Sequence, residues 1–251
     1  MLELNAVYAI WLREIKVYLR EKERVISSIV SPILWLFVFG SGIGETTYPG
    51  TSNYQAFILP GILVMSVLFV SVFYGLYIIW DRRLDFLKEV LVAPVSRASI
   101  FLGKVLGGVS DAMLQAVILL VIGTLLIIPL EPIRILYILL ILTLISFSTA
   151  SMGLVLGANM RSQEGFILII NFVMWPMFFF SGALFPISNL PEVIRPISTV
   201  DPLTYAVDAL RTIFFGTGAF PFYIDIVVLL AFAAVTAILG VISFGNLQQA
   251  K

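Results

Sequence analysis

The chain has 251 residues, of which 60% are hydrophobic and only 12% charged, with 15 Lys plus Arg balanced by 15 Asp plus Glu. Soluble domains carry about 25% charged residues, so half that share excludes an ordinary soluble globule and a disordered chain alike. Zero net charge without a basic patch argues against nucleic acid as a partner, and the lack of Cys and His removes disulfides, thiolate and imidazole chemistry and the usual zinc, copper and haem sites. An integral membrane protein remains, for which no cofactor is expected.

The first 24 residues are charged and patterned. Leu4, Tyr8, Trp11, Ile15 and Tyr18 recur at helical spacing, with Arg13, Lys16, Arg20 and Glu21 mostly off that stripe. This predicts an amphipathic helix in the membrane interface, in contact with lipid, with Trp11, Arg13 and Arg20 as its candidate contact residues. A surface anchor and a lever against a cytoplasmic partner are equally compatible with the stripe. No signal peptide is expected, because a full-length span follows directly.

A membrane-crossing helix needs roughly 20 mostly apolar residues. Six segments qualify: 25–44, 57–80, 105–128, 135–158, 166–185 and 222–245. Of the 30 charged side chains only Asp111 and Asp225 fall inside them, and Asp225 is near enough to a boundary to be interfacial. With six spans both termini share a side. That side holds twelve Lys and Arg (Arg13, Lys16, Arg20, Lys22, Arg24, Arg82, Arg83, Lys88, Arg97, Lys104, Arg161 and Lys251) against three opposite (Arg134, Arg195 and Arg211). Positive charge stays inside, so the termini and the 81–104 loop are expected to be cytoplasmic in a multi-pass plasma-membrane protein. The intervening pieces are too small to fold alone, and the whole chain reads as one transmembrane domain.

Within the cytoplasmic segment 81–98 the helical period continues, with Leu84, Leu87 and Leu91 on one face and Arg82, Arg83, Asp85 and Glu89 elsewhere. Pro94 should stop this helix and the Ser96–Arg97 region start the next. A solvated hairpin satisfies this pattern; so does a helix that receives force from a soluble partner. Asp81 and Asp85 sit among Arg82, Arg83 and Lys88 and read as a solvated, salt-bridged face rather than a metal pair. No phosphate-cradling G-x-x-x-x-G-K-[ST] loop occurs, and nothing supports an enzyme.

Asp111 is the one ionisable group deep within a span, with Gln115 one turn further on and Asn171 at a similar depth in the fifth span. Such a group marks a translocation path or proton site, unless it reaches interfacial water or takes a hydrogen bond from Asn171. Gly153 and Gly157 form a G-x-x-x-G pattern for close helix contact, within the chain or with a second copy. The 186–221 region is too apolar for an ordinary loop. Asp201-Pro202 is an N-cap followed by Pro at the first helical position, and Asn189-Leu190-Pro191-Glu192 is a weaker start. Two short external helices near 191–198 and 202–215, dipping back against the bundle, account for it.

The stretches Leu87-Lys88-Glu89-Val90-Leu91-Val92-Ala93-Pro94-Val95-Ser96-Arg97 with Leu102-Gly103-Lys104, and Ser181-Gly182-Ala183-Leu184-Phe185-Pro186 with Leu190-Pro191 and Asp201-Pro202-Leu203-Thr204-Tyr205-Ala206-Val207-Asp208-Ala209-Leu210-Arg211, resemble the membrane subunits of type-2 ABC transporters. That class includes drug, lipid, polysaccharide and nodulation-factor exporters, and the resemblance covers essentially the whole chain. Leu84-Asp85 departs from the glycine many members carry there. The resemblance implies an all-α integral membrane fold: six transmembrane helices, an N-terminal interfacial helix, and two external re-entrant helices between the fifth and sixth. It also implies a dimer with a second permease subunit, identical or different, and two copies of an ABC ATPase subunit that hydrolyse the ATP. The ATPase would contact the interfacial helix and the loop bearing Leu84, Leu87, Glu89, Leu91, Pro94 and Arg97. Asp201, Pro202, Asp208 and Arg211 would belong to an external gate. An ion-coupled transporter using Asp111 and a non-transport assembly factor are the alternatives.

Overall fold

The computed structural model describes residues 3–40, 51, 53–84 and 94–247, and the elements they form are helices. Helix α1 (Leu4–Arg20) ends at Glu21, whose backbone leaves the helical region at φ −87°, ψ 68°. Helix α2 (Lys22–Leu34) follows at once and runs into a wide π-helical stretch, Trp35–Phe39. Pro32 accounts for the change in winding, since it offers no N–H to the Ser28 carbonyl four residues back and its ring crowds that turn. The last residues of the expected first span, 41–44, lie outside the described residues.

Helix α3 (Tyr54–Phe73) begins on Asn53, whose side chain accepts the Gln55 N–H at 2.8 Å, and it is buried on nearly every side. It breaks at Tyr74 and Gly75, and α4 (Leu76–Arg83) completes the span, so that Tyr54–Arg83 covers 30 residues. At 1.5 Å per residue that is about 45 Å, longer than a hydrocarbon core of about 30 Å. Helix α5 (Arg97–Leu126) opens on Ser96, whose hydroxyl accepts the Ser99 N–H. It therefore begins well before residue 105, at the helix start expected near Ser96, and Arg97 and Lys104 both lie in it.

Helix α6 (Pro132–Asn159) carries Pro at its first position. Helix α7 (Gln163–Phe180) stops short of residue 185, because Gly182 turns the chain at φ 78°. A 3-10 turn (Ile187–Asn189) precedes α8 (Arg195–Val200), which is later and shorter than the expected 191–198 helix. Helix α9 (Pro202–Phe215) ends on Gly216 at φ 73°, the left-handed cap that glycine adopts without strain, and α10 (Phe222–Gly245) closes the chain.

Among the described residues, five spans are long and apolar enough to cross a membrane: Tyr54–Arg83, Arg97–Leu126, Pro132–Asn159, Gln163–Phe180 and Phe222–Gly245; Val25–Phe39 is a shorter apolar helix. Helix α3 is central, packed on α5 and α6, while α10 lies on α6, α1 runs along α5, and α9 covers α3, α6 and α10. The glycine pair of α6 meets the α3–α4 break within the same chain: a Cβ on Gly153 would overlap the Val72 carbonyl oxygen, and one on Gly157 that of Gly75. The packed face of α1 is Val7, Glu14 and Tyr18, whereas Leu4 and Tyr8 are exposed. The apolar stripe is thus split, its Tyr18 edge against α5 and its Leu4–Tyr8 part turned outward.

Candidate functional site

At the α1 end of the bundle, four charged side chains from three helices converge. Lys104 of α5 is 1% exposed, and its ammonium lies 3.0 Å from Glu14 of α1 and 2.5 Å from Asp81 of α4. Arg13 closes the ring, 2.7 Å from Glu14 and 3.4 Å from Asp81. The Tyr74 hydroxyl, at the break between α3 and α4, donates to the second oxygen of Glu14 at 2.7 Å. Burial pushes the Glu14 carboxyl up, but Lys104, Tyr74 and Arg13 together hold it below its ordinary value, so it is ionised. Asp81 is therefore not part of a solvated face. It is 5% exposed and ion-paired inside the protein.

Two further contacts fasten this end. Trp11 donates its indole N–H to Ser110 at 2.8 Å, which turns the ring toward α5. Arg82 donates to the carbonyls of Met160 and Ala158 at 2.8 and 2.9 Å, where a cation suits the C-terminal end of α6. Arg20 is exposed, Leu84 is 76% exposed at the end of α4, Pro94 is exposed and Arg97 half-buried at the start of α5. The remaining coupling candidates, Leu87, Glu89 and Leu91, lie outside the described residues.

Midway along the bundle a cavity of about 420 Å³ has walls of Trp35, Met65, Phe69, Phe73 and Trp175, with Ser28, Ser66 and Gln115 supplying polar atoms. Gln115 is 2% exposed, and its amide donates to the Ser28 carbonyl at 2.5 Å. That is the carbonyl Pro32 leaves without its helical donor, so a side chain of α5 repairs the interrupted turn of α2. The amide oxygen of Gln115 has no hydrogen-bond partner among the described residues. Asp111 is 1% exposed. Asn171 spends an amide hydrogen on Ile167 of its own helix at 2.7 Å, and the expected hydrogen bond from it to Asp111 is not formed.

At the opposite end, Asp201 caps α9 by accepting the Leu203 N–H at 2.9 Å, with Pro202 at the first helical position. Arg211 is 7% exposed; it donates to the Gly182 carbonyl at 2.6 Å and to that of Ala183 at 3.4 Å, and its guanidinium lies 4.1 Å from the Phe57 ring centre. Asp208 accepts the Ala219 and Phe220 N–H groups at 2.7 and 2.8 Å, closing the link from α9 to α10. Asp225, in the first turn of α10, is fully buried. Arg211 thus joins α9 to α3 and to the turn after α7, whereas Asp208 holds the link from α9 to α10.

The sequence reading passed over Glu14, Asp81 and Lys104 as a group. The available signal was a Lys seven residues inside the α5 helix that Ser96 starts, together with a Glu on the α1 stripe. No group of three or more metal-ligating acidic side chains occurs among the described residues.

The ABC-2 type transporter family model matches residues 5–215. Nodulation protein J of Rhizobium meliloti (strain 1021) is 30% identical over 217 residues, covering 83% of this chain and 81% of the relative. The inner membrane transport permease YadH of Escherichia coli (strain K12) is 27% identical over 237 residues, 90% of both chains. Nodulation protein J of Rhizobium leguminosarum bv. viciae is 27% identical over 216 residues, 83% of this chain and 82% of the relative.

Proposed function

The chain belongs to the ABC-2 type transporter membrane family, and from that premise we propose that it is the pathway subunit of an ATP-driven exporter in the plasma membrane, with both termini cytoplasmic. Two ABC ATPase subunits bind below a pair of these permeases, a homodimer or a heterodimer, and the ATP chemistry takes place there. The docking surface is α1 together with the segment from Leu84 to Arg97, in which Leu87, Glu89 and Leu91 meet the ATPase. The cap formed by α8 and α9, with Asp201, Pro202, Asp208 and Arg211, gates the outer end.

One observation carries this reading. The span Tyr54–Arg83 places Phe57 under Arg211 at the cap and Asp81 in the ion cluster at the other end. A single 30-residue span therefore touches both the surface proposed to receive force and the element proposed to open. The aromatic cavity with its few polar atoms suits an amphipathic cargo; Gln115 lines it, and Asp111 and Asn171, outside that lining, are the other proposed pathway residues. Burying a Leu is worth about 1.5–3 kcal/mol. The Leu87→Ala/Leu91→Ala chain should therefore insert and dimerise yet retain less ATPase on affinity purification. Recovery of a full complement of ATPase with that variant would move the docking site elsewhere.

A further inference from the structure

We propose that Lys104 is a positioning residue: it locks α1 and α4 in a single register on α5, so that displacement of the cytoplasmic surface is passed to the membrane helices instead of being absorbed by sliding. The inference rests on the coupling reading above. It starts from a defect in the α1–α5 contact. That contact is made over Gly103 and Gly107, where added Cβ atoms would lie 2.8 Å from the Ile10 Cβ and 2.7 Å from the Glu14 Cβ. Glycines permit this close approach, but they supply no ridges, and helices held by a smooth apolar face slip more readily than helices held by interlocked side chains. Directional contacts must fix the register.

Glu3–Ser99 and Trp11–Ser110 supply two of them, and Lys104 adds a buried ionic one that also reaches α4. Its ammonium bonds Glu14, 90 positions away, and Asp81, 23 positions away. Its three donors suit two carboxylates held at fixed positions. Arg13 joins the same two carboxylates from the open side, and with two anions and two cations the cluster is neutral. Buried ion groups of this kind contribute little net stability, because desolvation offsets their attraction; their best-attested use is to specify register. The neighbourhood agrees with that use. Tyr74 adds the α3–α4 break through its bond to Glu14, Tyr77 of α4 bonds Glu21 at 2.6 Å, and Arg82 ties α4 on to α6. Helix α4 is thus fastened sideways to α1, α5 and α6 immediately after the bonding of the span tightens to i→i+3 at Tyr74–Gly75.

Pulsed electron-spin distance measurements test this cleanly, because the chain has no cysteine. Spin labels go on exposed positions: Leu4→Cys with Val121→Cys for α1 against α5, and Arg83→Cys with Val121→Cys for α4 against α5. Glu3 bonds Ser99 and Trp11 bonds Ser110, so α1 and α5 run parallel. Leu4 then lies about 33 Å along the axis from Val121 at 1.5 Å per residue, within the measurable range. In the complex with its ATPase, both distributions should be narrow and unchanged when ATP and vanadate are added. Lys104→Met should broaden both and shift them on nucleotide addition, while Lys104→Arg keeps them narrow. Should Lys104→Met fail to fold, Asp81→Asn/Lys104→Met leaves Glu14 paired with Arg13 at 2.7 Å and no net charge among the four groups, and should show the same broadening in a folded protein.

A Lys104→Met protein with distributions as narrow as the parent's, or parent distances that change with nucleotide, would overturn the lock. If no ATPase accompanies the parent chain, it is the coupling reading that fails. The nucleotide-free distributions of parent and Lys104→Met still decide whether Lys104 sets the register.

Discussion

Removing the Arg211 side chain should loosen the cap measurably. Its guanidinium donates to the Gly182 carbonyl at 2.6 Å and sits 4.1 Å from the Phe57 ring centre. Burial lowers its pKa to about 10 against the opposing pull of Asp208 and Tyr54, so it is charged at neutral pH. A hydrogen bond from a charged group contributes about 1.5–3 kcal/mol, and a desolvated cation–π contact about 2 kcal/mol. Part of this is returned when a charge no longer has to be buried, which leaves about 3 kcal/mol for Arg211→Ala. At about 2–4 °C per kcal/mol for a chain of this size, the thermal midpoint should fall by about 6–12 °C. Tryptophan fluorescence of the purified protein in detergent reads this directly. Arg211→Lys should lie between parent and Ala, since an ammonium keeps the charge but cannot fork to two carbonyls. A fall of less than about 2 °C for Arg211→Ala, the smallest expected for 1 kcal/mol, would refute this account of the cap.

Other substitutions probe separate parts of the structure. Gly153→Ala places a methyl group on the Val72 carbonyl, forcing α6 from α3, and should cost about 1–3 kcal/mol in the same thermal assay; an unchanged midpoint would show that the helices are not in backbone contact. Burial raises the Asp201 carboxyl to about 7 against the stabilising Leu203 N–H, above its ordinary value of 3.8. The folded state thus holds that proton more tightly, and the resulting stability is complete below about pH 4 and lost as pH rises through 7. Asp201→Asn, which can still cap, should flatten the decline between about pH 4 and pH 7; an identical pH profile would contradict the raised value. Single cysteines at Ser52 and Ser188 should react with an impermeant thiol reagent from outside intact cells, and those at Ser96 and Ser162 should not; the reverse pattern would invert the orientation.

Local chemistry made some elements readable before the fold was seen. Asp201-Pro202 marks the start of α9 because an acceptor followed by a residue lacking an N–H satisfies two orphan positions at once. Long apolar runs located the cores of the five long spans. What sequence could not give was partnership across helices. Asp81 read as solvated because its neighbours Arg82 and Arg83 are cations, yet Lys104 on another helix claims it. The unbroken apolar run 57–80 concealed the interruption at Tyr74–Gly75, which depends on carbonyl contacts with Gly153 and Gly157. Asn171 and Asp111 shared a depth by counting but not a direction, since Asn171 bonds its own helix. Gln115 was read as one polar residue near another, whereas its role follows from the donor that Pro32 withholds on α2.

The proposed function requires that this chain receive its energy from a separate ATPase. Affinity purification of the tagged full-length chain from its native membrane, with quantitative mass spectrometry of what accompanies it, tests that most directly. The account predicts an ABC ATPase subunit in a one-to-one ratio with the permease chains, two of each per complex, and its loss from the Leu87→Ala/Leu91→Ala variant. Recovery of the chain without any ATPase, combined with flux that follows a pH gradient and disappears in Asp111→Asn, would contradict it.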